Sequence, residues 1–186
     1  MVDTNDLVRR CLEGDESAFE QLLDCYKDRI FSFILRLVQN QADAEDIAQT
    51  VFVKAFRNLQ SYDQSRPFIS WLFRIAHNCC IDFLRSKKEH VSIDDEDHPI
   101  DIEDMSISTE NVVARNFEQR EAEALLASLP PLYREVLMLQ YREDMGCSEI
   151  AVALGIPEGT AKARLFRARA ALLEKMKPEK VVPRTL

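Results

Sequence analysis

The feature that most constrains the fold is a break near the C-terminal end, where a glycine and a proline interrupt a helical pattern. The apolar residues before the break recur on one helical face, namely Ile150, Ala151 and Leu154. Gly155 can end this helix because glycine adopts the left-handed conformation without a Cβ clash. Pro157 cannot continue the first helix but suits the start of a second one. The pattern therefore predicts one helix over residues 147–154 and another that begins at Glu158.

The second helix combines an apolar face with a basic remainder. Its apolar residues recur at spacings of four, three and four, at Ala161, Leu165, Ala168 and Leu172. Its other faces contain the basic residues Lys162, Arg164, Arg167 and Arg169. A short helix, a glycine turn and a basic helix predict a helix-turn-helix whose second helix can enter a DNA major groove. The alternative is an αα-hairpin with a solvated basic face.

Charge is distributed unevenly along the chain. Residues 158–186 contain eight basic and three acidic residues, a net charge of +5, whereas the whole chain has a net charge of −8. A basic end on an acidic protein suggests a polyanion as partner there.

Long helical periodicities and only four glycines predict an all-α protein. We expect helices over about residues 3–12, 16–39, 42–59, 67–88, 112–129 and from 131 onward. The third of these has a long predicted inner face: Ile47, Ala48, Val51, Phe52, Ala55, Phe56 and Leu59. No apolar run reaches the about 18–20 residues that span a bilayer, and the N-terminus lacks the apolar segment of a signal peptide. The sequence thus predicts a cytoplasmic protein without membrane insertion.

An acidic segment interrupts the helical pattern. Residues 89–116 contain nine acidic residues and one basic residue, which predicts an extended linker. We therefore expect two small helical domains, 1–88 and 112–178, joined by an acidic linker over 89–111 and followed by a flexible tail over 179–186. The linker is either a solvated spacer or a negative strand that mimics nucleic acid in a positive channel of a partner.

Basic and aromatic residues alternate around the fourth helix. Residues 66–88 contain five basic residues and one acidic residue. The aromatic residues of the region are Tyr62, Phe68, Trp71, Phe73 and Phe83. Such a mixture suits single-stranded nucleic acid, since cations bind phosphates and rings stack on bases. Most helix aromatics belong to the core instead; Tyr62 is the better candidate because it lies in a predicted loop, and Trp71 remains open.

The sequence contains no recognisable catalytic, metal or cofactor site. We find no nucleotide-binding glycine loop, no HExxH motif and no nucleophile with a credible base, so we expect no enzyme and no cofactor. The five cysteines are scattered without a CxxC pair, which argues against a disulfide framework. The cluster of His77, Cys79 and Cys80 leaves a redox or metal-sensing role as an alternative.

Five motifs occur in an order that resembles one known family. They are GDESAFEQLLDCY, DAEDIAQTVFVKAF, FISWLFRIAHNCCIDFLR, SLPPLYREVLMLQY and SEIAVALGIPEGTAKARLFRAR. With the acidic linker between the third and fourth, the chain resembles the extracytoplasmic-function (ECF) sigma factors, a two-domain class of RNA polymerase sigma subunits. The resemblance implies a non-enzymatic factor that binds core RNA polymerase, recognises an upstream and a downstream element of promoter DNA, and opens the promoter.

The resemblance also implies a role for particular residues. Contacts to the clamp helices of the largest polymerase subunit would fall on Glu45, Asp46 and Gln49. Contacts to a flipped base of the downstream element would fall on Lys54, Tyr62, Phe73, Arg74 and Asn78. Contacts to the duplex upstream element would fall on Glu158, Gly159, Thr160, Lys162, Ala163, Arg164, Phe166 and Arg167. An anti-sigma factor between the two domains is the implied regulator.

Three positions depart from the family pattern. The family usually has a β-branched residue at Ala161, often a serine at Ala163, and more often a serine than Gly146 at the start of the support helix. Ala163 lacks a hydroxyl that could contact DNA, so base preference can differ. We also expect the isolated chain to bind duplex promoter weakly. The alternatives are a helix-turn-helix regulator that acts without core polymerase and an interaction protein that mimics a sigma factor.

Overall fold

The computed structural model describes residues 4–89 and 117–176, and the regular elements there are all helical. The α-helices are α1 (Thr4–Leu12), α2 (Glu16–Val38), α3 (Gln41–Arg57), α4 (Phe68–Glu89), α5 (Phe117–Ala127), α6 (Pro131–Tyr141), α7 (Cys147–Leu154) and α8 (Glu158–Met176). A single 3₁₀ turn, Leu59–Ser61, follows α3. The all-α prediction is confirmed. The predicted start of α5 at residue 112, nearly all of the predicted linker and the predicted tail lie outside the described residues.

Side-chain caps explain where α2 and α3 begin. The Asp15 carboxylate accepts hydrogen bonds from the backbone N–H groups of Ser17 and Ala18, so that α2 begins at Glu16. The Asn40 side chain accepts from the backbone N–H of Asp43 and begins α3 in the same way. Each cap satisfies N–H groups that have no partner within the helix. Short breaks therefore separate α1 from α2 and α2 from α3, and each break ends at a capping residue, Asp15 or Asn40.

The helix-turn-helix prediction is confirmed, with the bounds expected for α7. Gly155 has φ 65°, the left-handed conformation that the break requires. The N–H of Ile156 then donates to the carbonyl of Ala151 and satisfies the end of α7. Helices α5 to α8 form one group in which α8 packs against α5, α6 and α7.

Helices α1 to α4 form the other group. The two groups pack against each other, and their buried apolar residues form one cluster. Helix α4 packs on α7, and α2 packs on α6. Arg134 is buried in α6 and donates to four main-chain carbonyls, those of Arg36, Leu126, Ala127 and Leu129. A guanidinium at the ends of α2 and α5 meets the negative ends of both helix dipoles. This arginine therefore joins the two groups through backbone atoms.

Across residues 4–89 and 117–176, no helix combines the length and the apolar content needed to cross a membrane.

The cap of α2 generates a testable pH dependence. The Ser17 hydroxyl and the Arg10 guanidinium donate to Asp15 and lower the pKa of its carboxyl group to about 2. Because the folded-state pKa lies below the ordinary value, the carboxylate stabilises the fold at neutral pH, and this contribution disappears as the pH falls toward 2. Thermal unfolding should show the wild type more stable than Asp15→Asn at neutral pH, with the difference vanishing between about pH 4 and pH 2.

Asp15→Ala provides the control for the cap itself, because alanine removes both the cap and the charge whereas asparagine keeps a good cap. A difference between wild type and Asp15→Asn that does not change with pH would contradict the ion pair with Arg10.

Candidate nucleic-acid interfaces

An open cavity of about 540 Å³ lies where α3 ends and α4 begins. Four of the five residues predicted for the downstream element line it, namely Lys54, Tyr62, Arg74 and Asn78. Arg74 and Asn78 are one turn apart on α4, and Trp71 precedes Arg74 by three residues, so all three share a face. The structure therefore brings most of the predicted set together in one concave surface.

The rings of Tyr62 and Trp71 line the cavity and also pack against Phe68. The ring centroids of Tyr62, Phe68 and Trp71 lie 5.1 to 5.5 Å apart. Tyr62 is 8% exposed rather than free in a loop, and its hydroxyl donates to the carbonyl of Arg66. Burial raises the pKa of the Tyr62 phenol. Trp71, which the sequence left open, lines the cavity while packing against the core.

Phe73 is the exception among the predicted residues. Its side chain is fully buried, and its ring meets Phe33 of α2 edge-on at a centroid distance of 5.0 Å. On α4 it lies about 100° from Arg74, outside the face that lines the cavity. The structure thus assigns Phe73 to the core, and the expectation that it contacts a base does not fit this position.

Charges of both signs surround the cavity. Lys54, Arg66 and Arg74 provide cations, while Asp63 and Asp82 provide carboxylates. Arg66 lies 3.5 Å from Asp63, and both side chains are exposed, so water and salt screen this pair. The exposed cations at the rim suit phosphates, and the two lining rings with the Asn78 amide suit a base.

The cavity is bounded on one side by the second helical group. Val152 of α7 lines it, and the Arg74 guanidinium lies so close to Gly155 that a Cβ there would be 3.6 Å from the Arg74 Nε. The two candidate DNA sites are therefore neighbours in this arrangement.

Most of the predicted upstream-element residues lie on the open side of α8. Glu158, Gly159, Lys162, Phe166 and Arg167 are exposed, and Thr160 and Ala163 are half-buried. The Lys162 ammonium lies 2.7 Å from the Glu158 carboxylate, one turn earlier, and this hydrogen bond raises the pKa of Lys162. Phe166 is 76% exposed, although it is a large apolar residue. This surface is basic and accessible, as a groove-binding helix requires.

Arg164 differs from the other basic residues of α8, because it contacts a buried carboxylate. Its Nη1 lies 3.3 Å from Oε1 of Glu135, a fully buried residue of α6. The other Glu135 oxygen, Oε2, lies 2.9 Å from Nδ1 of His77 on α4. Sequence reasoning missed Glu135 and its contacts with Arg164 and His77. The one available signal was an acidic residue with apolar residues three and four positions away on both sides, at Pro131, Leu132, Met138 and Leu139.

The predicted polymerase-binding residues lie on an exposed face of α3. Glu45, Asp46 and Gln49 are all exposed. Val53 and Phe56 follow on the same helix and are 50% and 54% exposed. The prediction that Phe56 belongs to the inner face is wrong: its ring meets Phe19 edge-on at 4.7 Å but leaves half of its surface open. The exposed side of α3 is thus acidic at its start and apolar toward its end.

The cysteines next to the cavity are poorly placed for reaction with oxidants. Cys79 and Cys80 are both buried, and burial raises the pKa of the Cys80 thiol. A buried thiol with a raised pKa forms little of the reactive thiolate. Over the part of the chain that the structure describes, no three residues of His, Cys, Asp or Glu gather as metal ligands do.

Comparison with known families divides the chain into two matching segments. Residues 22–90 match the family model of sigma-70 region 2, and residues 119–172 match the model of sigma-70 region 4. The first segment contains every lining residue of the cavity except Val152, together with the exposed side of α3. The second contains the helix-turn-helix.

Curated relatives match along most of their length. The chain is 34% identical over 178 residues to the ECF RNA polymerase sigma factor SigW of Bacillus subtilis, covering 91% of this chain and 95% of the relative. It is 32% identical over 183 residues to the RNA polymerase sigma-H factor of Pseudomonas aeruginosa, covering 92% and 93%. It is 30% identical over 180 residues to the ECF RNA polymerase sigma-E factor of Escherichia coli, also covering 92% and 93%.

Two solved structures are similar in fold over most of the chain. One is CnrH in complex with the cytosolic domain of CnrY, with a TM-score of 0.67 and 25% identity, covering 94% of this chain and 100% of CnrH. The other is the sigma factor RpoE in complex with the anti-sigma factor NepR from Bartonella quintana, with a TM-score of 0.70 and 23% identity. It covers 86% of this chain and 98% of RpoE.

The two aromatic residues of α4 should respond differently to truncation. Phe73→Ala removes a fully buried ring and should lower the free energy of unfolding by about 3–5 kcal/mol. Trp71→Ala is the matched variant on the cavity side, and its loss should be smaller because the indole is partly exposed. Urea unfolding followed by circular dichroism measures both. A loss below about 1 kcal/mol for Phe73→Ala would contradict its assignment to the core.

Proposed function

This chain belongs to the ECF RNA polymerase sigma factors, and from that premise we propose how its described surfaces divide the work of promoter recognition. As an alternative sigma factor it is a non-enzymatic subunit of transcription initiation. The observation that supports the proposal most is that the two family matches coincide with two surfaces. The region 2 match contains all lining residues but Val152 of the cavity between α3 and α4, here called the α4 cavity, and the region 4 match contains most of the basic helix α8. We assign these matches to domains 1–88 and 112–178, with the linker over 89–111.

The α4 cavity is proposed to take an unstacked base of the downstream element. Flipping a base costs a few kcal/mol of stacking and pairing, which a pocket must recover through ring contacts and hydrogen bonds to the base edge. Tyr62 and Trp71 supply the rings, and the Asn78 amide supplies both a donor and an acceptor. Lys54 and Arg74 at the rim then neutralise the adjoining phosphates.

Helix α8 is proposed to read the upstream element as duplex DNA. Arg167 and Lys162 project from its exposed side, where they can donate to guanine edges or to phosphates. Glu158 and Thr160 at its N-terminus can reach bases, and backbone N–H groups there favour a phosphate. Exposed Phe166 offers an apolar contact to a thymine methyl group.

The exposed side of α3 is proposed to bind core polymerase through the clamp helices of its largest subunit. Glu45, Asp46 and Gln49 supply polar contacts, and the open surfaces of Val53 and Phe56 supply apolar area next to them. An apolar centre beside charged residues is what a specific protein interface needs. The protein would act in the cytoplasm, where the polymerase and the chromosome are.

An anti-sigma factor is proposed as the regulator. Bartonella quintana RpoE, which is similar in fold, was solved in complex with the anti-sigma factor NepR. CnrH, similar in fold and 25% identical, was solved in complex with the cytosolic domain of CnrY. In this chain the two helical groups contact each other directly, so a regulator placed between them would have to replace those contacts.

Run-off transcription with core RNA polymerase on fragmented genomic DNA tests the proposal. Discrete transcripts that require this chain and share upstream elements are the expected result. Binding to core without transcripts would favour an interaction protein that mimics a sigma factor. No binding to core would contradict the proposal and favour a helix-turn-helix regulator that acts alone.

Paired arginine variants test the two DNA surfaces separately. Arg167→Gln should weaken promoter binding by the holoenzyme by about 1–3 kcal/mol, as for loss of one base contact. Arg169→Gln on the same helix should have a smaller effect, because Arg169 donates to Gln140 and lies 5.8 Å from the Tyr141 ring centroid. Filter binding with a promoter fragment measures both, and equal effects would contradict the assignment of Arg167.

For the cavity, Arg74→Gln should reduce promoter opening, read as permanganate reactivity of unpaired thymines. Arg85→Gln is the matched control, since Arg85 is an exposed arginine of α4 that does not line the cavity. Full opening by the Arg74 variant would remove this residue from the downstream site.

A further inference from the structure

One buried carboxylate connects the two helical groups and also contacts a predicted DNA-binding arginine. Glu135 is fully buried in α6. Its Oε2 accepts from His77 of α4 at 2.9 Å, and its Oε1 accepts from Arg164 of α8 at 3.3 Å. The three side chains thus join the helix of the downstream site to the helix of the upstream site.

Because Glu135 is buried, its carboxylate needs both His77 and Arg164 as partners. A carboxylate removed from water loses solvation that only hydrogen bonds and opposite charge can replace. The partners are themselves largely enclosed, with side-chain exposures of 12% for His77 and 24% for Arg164. While α4 packs on α7, Arg164 is therefore held at Glu135 and is drawn away from the open side of α8.

We propose that Glu135 is a positioning residue that withholds Arg164 from DNA in the compact form and releases it when α4 separates from α7. We call the three residues Glu135, His77 and Arg164 the Glu135 latch. The proposal rests on the proposed function, since it assumes that α8 binds DNA.

The release follows from a change in solvation. When α4 leaves, Glu135 loses His77 and gains water, and the attraction between Glu135 and Arg164 falls as the local dielectric constant rises. Arg164 can then exchange the carboxylate for a phosphate or a base. The coupling is reciprocal: DNA that takes Arg164 leaves Glu135 with fewer partners, which disfavours the compact form by the same free energy.

The packing of α4 on α7 also narrows access to the α4 cavity. Val152 of α7 lines the cavity, and Arg74 lies against Gly155. Separation of α4 from α7 therefore widens access to the cavity, and through the Glu135 latch it also releases Arg164.

The test compares Glu135→Gln with Glu143→Gln in the full-length chain. Glu143 is 11% exposed and accepts from Arg29 of α2 at 2.6 Å, so it also joins the two groups, but it contacts no predicted DNA-binding residue. Both substitutions are nearly isosteric and remove one negative charge. A general effect of charge on DNA binding is therefore the same in both variants.

The first measurement is fluorescence anisotropy of short labelled duplexes of randomised sequence, over a range of salt concentrations. Glu135→Gln should increase affinity at low salt by about tenfold and steepen the salt dependence by about one unit, the change expected for one added phosphate contact. Glu143→Gln should leave the salt dependence unchanged. The gain should vanish in the double variant Glu135→Gln/Arg164→Gln.

The second measurement is amide hydrogen exchange, which reports separation of α4 from α7 directly. Glu135→Gln should speed exchange in both helices. His77→Gln is a second variant in case the first folds poorly: it should also speed exchange there, with a smaller gain in affinity because Glu135 still contacts Arg164.

Equal gains in affinity for Glu135→Gln and Glu143→Gln, or no gain and no faster exchange, would overturn the latch. Neither the anisotropy measurement nor the exchange measurement involves core polymerase. Transcripts from the wild-type chain with a failed latch test would leave the proposed function standing, and absence of binding to core would remove the proposed function independently.

Discussion

Helix α4 packs against helices from both groups, and the geometry of each candidate DNA site depends on that packing. One side of α4 packs on α2 through Phe73, which meets Phe33 edge-on. The adjoining side turns Arg74 and Asn78 toward the cavity. His77, one turn after Phe73, meets Glu135 of α6 where α4 packs on the second group. Since a helix is rigid, these three relations are fixed together, and a shift of α4 changes the cavity and the environment of Arg164 at once.

The elements that the sequence predicted well depend on local chemistry. Gly155 and Pro157 act through their own backbone angles, so the end of α7 and the start of α8 were predicted at the residue observed. The starts of α2 and α3 were expected at about residues 16 and 42, and the caps that set them, Asp15 and Asn40, bond to backbone groups two or three residues away. The cavity was also partly predictable, because Arg74 and Asn78 share a helical face whatever packs beside them. Sequence periodicity and the Gly155–Pro157 break together predicted the order of the described α-helices, whereas the 3₁₀ turn Leu59–Ser61 was not predicted.

The failures concern residues whose environment is set by distant parts of the chain. Periodicity assigns a residue to a face, but it does not say how many faces another helix covers. The side chain of Phe56 is therefore half-exposed, and Phe73 is a core residue. Glu135 contacts His77 across 58 positions in sequence and Arg164 across 29, and neither separation leaves a local pattern. The latch could be found only once the packing of the two groups was known.

The chain is acidic overall although α8 is basic, and the place of each carboxylate decides whether it competes with DNA for the basic residues of α8. Lys162 and Arg164 each face one carboxylate, but the two pairs differ in solvation. The pair of Lys162 with Glu158 is exposed, so salt screens it and a phosphate can displace the carboxylate locally. Glu135 is fully buried, and a charge left there without a partner is costly. DNA can therefore compete for Lys162 without any change of fold, whereas it gains Arg164 only if Glu135 is rehydrated, which requires α4 to move.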